Sequence, residues 1–182
     1  FAAADGEAHA PIRPKTDRLN RVIIMNRPAI SLLASLLTSC TAFAADALQP
    51  GLLARYYQND GPLSDFPTLK AGRKPTVERV DKDINFASTL EAWPGTKLLD
   101  NFYAVWTGVI RIPKDGDYKF NLESDDGSRL FIDGKEVVDN GGTHDMQDVS
   151  GHTELKAGDH EIKVEFFEIG RHMSELQSPY VI

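Results

Sequence analysis

The feature that most constrains the fold is a two-residue alternation of apolar side chains in the second half of the chain. One parity holds the apolar residues in three stretches: Phe102, Ala104, Trp106, Gly108, Ile110 and Ile112; Tyr118, Phe120 and Leu122; Ile162, Val164 and Phe166. A period of two is that of a β-strand with one buried face. In the last stretch, charged residues occupy the opposite parity, which predicts a half-buried antiparallel strand.

Turn signals between these stretches predict the rest of the sheet. Asp133-Gly134 is typical of a tight hairpin turn, and Gly- and Asp-containing stretches separate the other strands. No helical period competes with the alternation. Strands separated by turn signals about every ten residues are typical of an all-β fold, an antiparallel β-sandwich or barrel. Further strands are predicted over residues 51–57, 76–86 and 175–182.

The first 44 residues are predicted to be a leader, a segment that precedes the folded domain and directs its export. Residues 1–24 are polar and lack an apolar period, so they are interpreted as a disordered or untranslated upstream segment. Residues 25–44 contain a basic residue, a short apolar run and an A-x-A site, the layout of a secretory signal peptide. That apolar run is too short to span a bilayer. We therefore predict a single domain over residues 45–182, either secreted or held in the periplasm or at the cell surface.

A second interpretation of the leader stays open. The stretch Leu37-Thr38-Ser39-Cys40 also fits a bacterial lipoprotein signal, in which Cys40 would become the lipidated first residue. The two interpretations predict a released or a membrane-tethered protein. Cys40 is the single cysteine of the chain, so cleavage after Ala44 would leave a domain without any disulfide.

The net charge of the predicted domain limits the classes of partner that it is expected to bind. From Ala45 on, 15 Lys and Arg face 24 Asp and Glu, a net charge of −9 compared with −7 for all 182 residues. An excess of negative charge disfavours binding to nucleic acid and to anionic membranes. It is compatible with a bound cation and with neutral ligands such as sugars.

Two adjacent carboxylates, Asp125 and Asp126, come between a predicted strand and Gly127. Ca²⁺ takes six to eight oxygen ligands, many of them from carboxylates, and would cancel the repulsion between the two aspartates. Asp and Gly are also ordinary turn residues. From the residues alone, a cation site and a plain turn both stay open.

The chain resembles the PA-fourteen domain family from about Gly51 to its C-terminus. The resemblance is carried by the spacing F-x-x-x-W-x-G-x-I-x-x-P-x-x-G-x-Y-x-F over residues 102–120, and by SDDGSRLFIDGKEVVDN, GTHDMQDVSG and LKAGDHEIKVEFFE. It implies an antiparallel β-sandwich or barrel. In sugar-binding members, two aspartates joined by a cis peptide hold a Ca²⁺ that coordinates sugar hydroxyls, and Asp125 and Asp126 match them.

The sequence departs from the fungal members in one respect. Those members add an Asn from a loop before the last strand, and the corresponding residues 168–176 contain none. The sequence does not identify the remaining ligands; main-chain carbonyls or an acid such as Glu175 could complete the site. We expect glycan recognition to use the loops around this end, over residues 57–76, 139–148 and 168–176.

Further candidate ligand-binding residues flank the Asp pair: Ser128, Arg129, Asn140 and His144. Ser128 would supply a hydroxyl, and the other three also have a plain structural interpretation. Asn140 would cap a hairpin, Arg129 would form a surface ion pair of little energetic value, and His144 would make a structural hydrogen bond. Three histidines spaced eight residues apart do not establish a zinc site.

Trp93 has two interpretations. It lies in the loop E-A-W-P-G, off any apolar stripe, so an exposed ring could stack on a sugar, or the ring could close one end of the barrel. Trp106, on the apolar parity, is predicted to lie in the core.

No catalytic constellation is present in the sequence. Glycoside hydrolysis needs two carboxylates about 5–9 Å apart on either side of the scissile bond, and neither a G-x-S-x-G nor an H-E-x-x-H motif occurs. We predict a non-enzymatic, lectin-like domain that binds a glycan or cell-wall polysaccharide with Ca²⁺. The alternative is a structural or protein-interaction module with a degenerate sugar site, part of a larger cell-surface or glycan-processing system.

Overall fold

The structure is a computed structural model that describes residues 23–26, 48–89, 91–170 and 174–177. All regular structure in these ranges is β-strand, which confirms the predicted all-β class. The strands are β1 Ile23–Asn26, β2 Gln49–Pro50, β3 Leu52–Gln58, β4 Val77–Asp81, β5 Phe86–Thr89, β6 Phe102–Ile112, β7 Gly116–Asp125, β8 Ser128–Ile132, β9 Lys135–Asn140, β10 Gln147–Leu155, β11 Gly158–Glu168 and β12 Ser174–Gln177.

The strands form two antiparallel sheets. In the larger sheet the order is β2-β1-β6-β11-β8-β9, with β3 pairing to both β6 and β4; in the smaller it is β10-β7-β12-β5. β6 and β11 form a long central pair in the larger sheet. Their pairing continues without a register shift from Ile112 opposite Gly158 to Phe102 opposite Glu168. The apolar parity predicted from the sequence faces inward from both sheets and forms the main core.

The two sheets approach each other where β9 runs beside β10. A Cβ built on Gly151 of β10 would lie 1.7 Å from the main-chain oxygen of Val137 on β9. Only a residue without a side chain permits this approach.

A second apolar cluster covers the outer face of the larger sheet. Residues 59–72 fold over this face and bring Leu63 and Phe66 onto Tyr57, Tyr103 and Phe167. The face opposite the apolar parity, which the alternation predicts to be exposed, is therefore covered near the end of β11. Glu165 is only 9% exposed there and accepts a hydrogen bond from the Tyr103 hydroxyl at 2.7 Å. Burial, together with this bond to a carboxylate, raises the pKa of Tyr103.

Residues 76–86 form two strands instead of the single strand that the sequence predicts. β4 ends at Asp81, whose buried carboxylate accepts hydrogen bonds from the Tyr56 hydroxyl at 2.5 Å and Trp106 Nε1 at 2.8 Å. β5 begins only at Phe86, in the other sheet. Of the predicted last strand, the structure describes β12 up to Gln177, and residues 178–182 lie outside the described part.

β1 falls within the predicted leader. It pairs with β6 from Ile23 opposite Arg111 to Met25 opposite Val109, and the Met25 side chain is 6% exposed. The predicted cleavage site and Cys40 lie outside the described residues, so the leader stays a prediction. A chain cleaved after Ala44 would lack β1. In the described part of the chain, no helix has the length and apolar character needed to cross a membrane.

Candidate functional site

Five of the predicted site residues meet at one end of the sandwich, where β7, β9 and β11 end and β8 and β10 begin: Asp125, Asp126, Ser128, Asn140 and His144. We call this the Asp-pair end and define it by residues 124–128, 139–147 and 168–170. The peptide bond between Asp125 and Asp126 is cis, as the resemblance implies. Asp125 is half-buried, and Asp126 is 5% exposed.

The Asp126 carboxylate joins three segments of this end. Oδ1 accepts a hydrogen bond from the main-chain N–H of His144 at 3.2 Å, and Oδ2 accepts one from that of Ile169 at 3.1 Å. A buried carboxylate needs such donors, since an uncompensated charge inside a protein is strongly disfavoured. The turn after β7, the loop before β10 and the residues after β11 are thereby held around one side chain.

A buried polar layer lies beneath the Asp pair. It consists of Ser124, Ser128 and Asn140, each at most 2% exposed, and we call it the polar floor. The Ser124 hydroxyl donates to the main-chain oxygen of Asp126 at 2.7 Å and lies 2.7 Å from the Ser128 hydroxyl. Because Ser124 has one hydrogen to donate, the Ser128 hydroxyl is the donor in the second bond. The floor therefore fixes the main chain of the turn.

Asn140 has one atom without a partner among the described residues. Its amide nitrogen donates to Ser124 Oγ at 3.0 Å and to the main-chain oxygen of Gln147 at 3.1 Å, which uses both hydrogens. The bond to a carbonyl oxygen fixes the orientation of the amide, since only the nitrogen can donate. Asn140 Oδ1 is buried and accepts no hydrogen bond within the described structure. A buried acceptor of this kind calls for a water or a cation.

The His144 ring is tied to the main chain of its own loop. Nδ1 lies 2.8 Å from the Asp145 carbonyl oxygen, and Nε2 lies 3.1 Å from that of Asn140. With its main-chain N–H on Asp126, His144 thus holds residues 140–145 in place. Both ring neighbours are carbonyl oxygens, so an imidazole with a single N–H donates to one of them at a time, the structural hydrogen bond that the sequence analysis considered for this residue.

The family model for the PA14 domain, the PA-fourteen family of the sequence analysis, matches residues 48–181. The chain belongs to the PA14 domain family. A search of the curated proteins gave no match.

Solved structures share the fold of this PA14 domain. The PA14 domain of the MpAFP antifreeze protein is 16% identical with a TM-score of 0.65, covering 79% of this chain and 87% of that chain. A PA14 sugar-binding domain from an RTX adhesin is 16% identical with a TM-score of 0.59, covering 73% and 94%. The Epithelial Adhesin 6 A domain from Candida glabrata, solved with Galb1-3GlcNAc, is 14% identical with a TM-score of 0.52, covering 88% and 84%.

Arg129 does not face the Asp pair of this PA14 domain. Alternation along β8 turns Ser128 inward and Arg129 outward, onto the covered face of the larger sheet. Its guanidinium lies 3.7 Å from the centre of the Phe66 ring, 3.5 Å from Glu165 and 3.9 Å from Glu136. A direct ligand contact for Arg129 is therefore not supported, and its ion pairs belong to the outer face.

The sugar-stacking interpretation of Trp93 is wrong. The Trp93 side chain is 1% exposed, with ring centres 4.7 Å from Phe86 and 5.2 Å from both Phe102 and Phe166. The loop folds back on itself through a hydrogen bond from Trp93 N–H to the Leu98 carbonyl. A ring enclosed on all sides has no face open to a sugar, so Trp93 belongs to the core.

Two residues of the Asp-pair end were missed by the sequence analysis. Ser124 lies in the polar floor, and Glu168 is 1% exposed with Oε1 accepting the main-chain N–H of Gly170 at 2.8 Å. Both continue an apolar parity: Ser124 follows Leu122, and Glu168 follows Phe166. A polar residue at the inward parity of a strand end was the signal that could have identified them.

The described side chains supply only part of a metal site. Among the described ranges, no three His, Cys, Asp or Glu side chains meet in a metal-binding group. Glu175, which the sequence analysis offered as a further ligand, is opposite Asp125 in the β12–β7 register, and its side chain lies outside the described part. Further oxygens would have to come from Asn140 Oδ1, from the main chain, from water or from residues beyond 170.

Proposed function

We propose that this PA14 domain binds carbohydrate at the Asp-pair end through a Ca²⁺ held by Asp125 and Asp126. The observation that carries the proposal is the adjacent aspartate pair at a point where three segments converge on the Asp126 carboxylate. Asp125 and Asp126 place two carboxylates side by side, and such an arrangement becomes favourable when a cation neutralises it.

The donor chemistry of the site fits Ca²⁺. The ion prefers carboxylate, carbonyl and water oxygens, and each carboxylate oxygen has two lone pairs, so accepting one N–H leaves room for a cation contact. The orphaned Oδ1 of Asn140 adds a neutral buried oxygen in the polar floor next to the turn. When bound, Ca²⁺ would supply coordination positions for sugar hydroxyls, while His144 and Ile169 keep the Asp126 carboxylate oriented.

The comparisons support a sugar as the ligand class. One PA14 domain of the same fold is described as sugar-binding, and an adhesin domain of the same fold was solved with a disaccharide. We extend this to the present chain as part of the proposal, with the loops over residues 57–76 and 139–148 and residues 168–170 forming the rim; residues 171–173 of the third expected loop lie outside the described part. The sequence lacks a catalytic motif, and we propose a binding domain without catalytic activity. We also propose that the domain is exported, with either a signal peptide or a lipoprotein signal as its leader.

Thermal unfolding in millimolar Ca²⁺ and in chelator tests the proposal. A ligand at one hundred times its dissociation constant stabilises the folded state by about 2.7 kcal/mol, which raises the unfolding midpoint by several degrees. Asp125→Asn should abolish the shift, and it is a better probe than a change at Asp126, whose two main-chain donors would be disturbed directly. Glycan-array binding that appears only with Ca²⁺ would then identify the sugar.

A structural or protein-interaction module is the second candidate. It is favoured by one observation, that the described side chains form no three-residue metal-binding group. Under this alternative the unfolding midpoint is the same in Ca²⁺ and in chelator, for both the wild type and Asp125→Asn, and the glycan array stays blank. That pair of results would overturn the carbohydrate proposal.

A further inference from the structure

Phe66 lies at the centre of the contacts between the covering loop and the Asp-pair end. The covering loop comprises residues 59–72, on the outer face of the larger sheet. The Phe66 ring meets Phe167 edge-on, at 5.0 Å between ring centres and 90° between planes, and Tyr103 at 6.5 Å and 77°. The Arg129 guanidinium closes its other side at 3.7 Å. These contacts fix the ring in one orientation.

Through these neighbours, Phe66 supports both sides of the turn that carries the Asp pair. On one side, Phe167 donates its main-chain N–H to the Gly127 oxygen at 2.9 Å, and a Cβ at Gly127 would lie 2.4 Å from the Phe167 ring. On the other side, a Cβ at Gly141 would lie 3.4 Å from Phe66, and the carbonyl of Gly142 would lie 2.9 Å from the Gly127 Cβ. The turn thus lies between the Phe167 ring, which Phe66 contacts directly, and the carbonyl of Gly142, whose neighbour Gly141 lies beside Phe66.

Arg129 is itself fixed from the sheet. Glu165, 9% exposed, lies 3.5 Å from the Arg129 guanidinium and also accepts hydrogen bonds from Tyr103 at 2.7 Å and Lys163 at 3.0 Å. The planar guanidinium can face the carboxylate and stack on a ring at once, which an ammonium group cannot do equally well. The Phe66 ring therefore packs against the Arg129 guanidinium, and Glu165, which Tyr103 and Lys163 also hold, fixes the position of that guanidinium.

We propose that Phe66 and Arg129 are positioning residues for the Asp-pair end. The stacked pair sets the place of Phe167 and of residues 141–142, and these in turn hold Gly127 and the loop of His144. Asp126 and its two main-chain donors, His144 and Ile169, depend on this support. The consequence for ligand affinity rests on the proposed function, whereas the consequence for the order of the site does not.

Amide hydrogen exchange followed by NMR tests the inference without any ligand. In Phe66→Ala, the His144 and Ile169 amides should exchange at least about ten-fold faster, because opening of a poorly supported region is a local event. Amides in the part of the β6–β11 pair far from Phe66, where residues 158–164 lie opposite residues 106–112, should keep their wild-type protection. Phe66→Tyr should restore protection, and Arg129→Lys should lose part of it while keeping the charge beside Glu165.

Leu63→Ala is the matched control. It removes a buried side chain from the same loop and the same apolar cluster but leaves the Phe66–Arg129 stack in place. Unchanged exchange at His144 and Ile169 in Phe66→Ala would overturn the inference. So would an equal acceleration in Leu63→Ala, since the effect would then be general loosening of the loop.

A Ca²⁺ titration separates this inference from the proposed function. If the wild type binds Ca²⁺, Phe66→Ala should bind it about ten-fold more weakly, and equal affinities would overturn the inference while the proposed function stands. If the wild type shows no response to Ca²⁺, the proposed function fails, and the exchange experiment still decides the role of Phe66.

Discussion

Asp126 and Ile169 are joined across 43 positions of sequence by a hydrogen bond of 3.1 Å from the Ile169 main-chain N–H to Oδ2. The other oxygen of the same carboxylate accepts the His144 N–H at 3.2 Å. One buried side chain therefore holds the end of β11 and the loop before β10 against the turn after β7. This arrangement gives Asp126 a structural role that does not depend on any ligand.

Asp126→Asn should destabilise the fold even in chelator. An amide has one accepting oxygen, so its NH₂ group would face one of the two main-chain donors and leave that N–H without an acceptor. We expect a loss of about 1–3 kcal/mol, seen as a lower midpoint of thermal unfolding. Asp148→Asn removes the same charge from an exposed position of β10 and should leave the midpoint unchanged. Equal midpoints for the two variants would show that the bonds to His144 and Ile169 contribute little.

Gly127→Ala should destabilise the protein for a steric reason. The new Cβ would lie 2.4 Å from the Phe167 ring and 2.9 Å from the Gly142 oxygen, so both sides of the turn must move. Overpacking of this kind costs about 1–3 kcal/mol, measurable by denaturant unfolding. Gly61→Ala is the control, because a Cβ there meets nothing within 4 Å. If Gly127→Ala were as stable as Gly61→Ala, the close approach at the turn would be refuted.

The parts of the fold that depend on local alternation could be predicted from the sequence. The inward residues of β6, β7 and β11 were identified because a period of two along one strand fixes which side chains are buried. The same rule contained the signal for Ser124 and Glu168, which occupy inward positions at strand ends. The cis Asp125–Asp126 bond came from the resemblance, since no local pattern implies it.

Contacts between distant segments could not be predicted in this way. Arg129 was considered as a ligand contact because it neighbours the Asp pair in sequence, yet alternation turns it onto the outer face, where Phe66 covers it. The packing of Phe66 on Arg129 depends on how residues 59–72 fold over the sheet. The sequence of these residues has no apolar period from which that packing could be predicted. Trp93 was ambiguous for the same reason, since a loop residue is buried or exposed according to what the loop packs against.

Trp93→Ala should be among the most destabilising single changes in this chain. The ring is 1% exposed and packs against Phe86, Phe102 and Phe166, and truncating such a side chain costs about 3–5 kcal/mol. Leu99→Ala, in the same loop but 57% exposed, should change stability by no more than about 0.5 kcal/mol. Denaturant unfolding of both variants measures the difference. A small loss in Trp93→Ala would contradict the placement of this ring in the core.

His160 and Asp133 form an ion pair at the end of the sandwich opposite the Asp pair. His160 Nδ1 lies 2.6 Å from Asp133 Oδ2, and Asp133 Oδ1 accepts the Glu161 main-chain N–H at 2.9 Å. The hydrogen bond with Asp133 raises the pKa of His160 despite some burial. Burial opposes the shift of Asp133, but the bonds from His160 and Glu161 outweigh it and lower the pKa of that carboxyl.

These two shifts fix the pH range in which the pair stabilises the fold. The raised pKa of His160 gives a contribution that is complete below the ordinary histidine value and is lost as the pH rises through the folded value. The lowered pKa of Asp133 gives a stabilising contribution that is complete above the ordinary aspartate value and is lost as the pH falls through the folded value. The pair therefore contributes most between about pH 4 and 6.5, the ordinary values of Asp and His.

His160→Gln should accordingly cost more stability at about pH 5.5 than at pH 8.5, inside and above that range. Because Asp133 is half exposed, the difference should not exceed about 1 kcal/mol. His152→Gln is the matched control, since His152 and its partner Asp117 are both more than half exposed, and it should show little change at either pH. Denaturant unfolding at the two pH values measures each variant against the wild type. An equal loss at both would mean that the His160 ring acts through packing or neutral hydrogen bonds, since only a charged pair weakens as the imidazolium loses its proton.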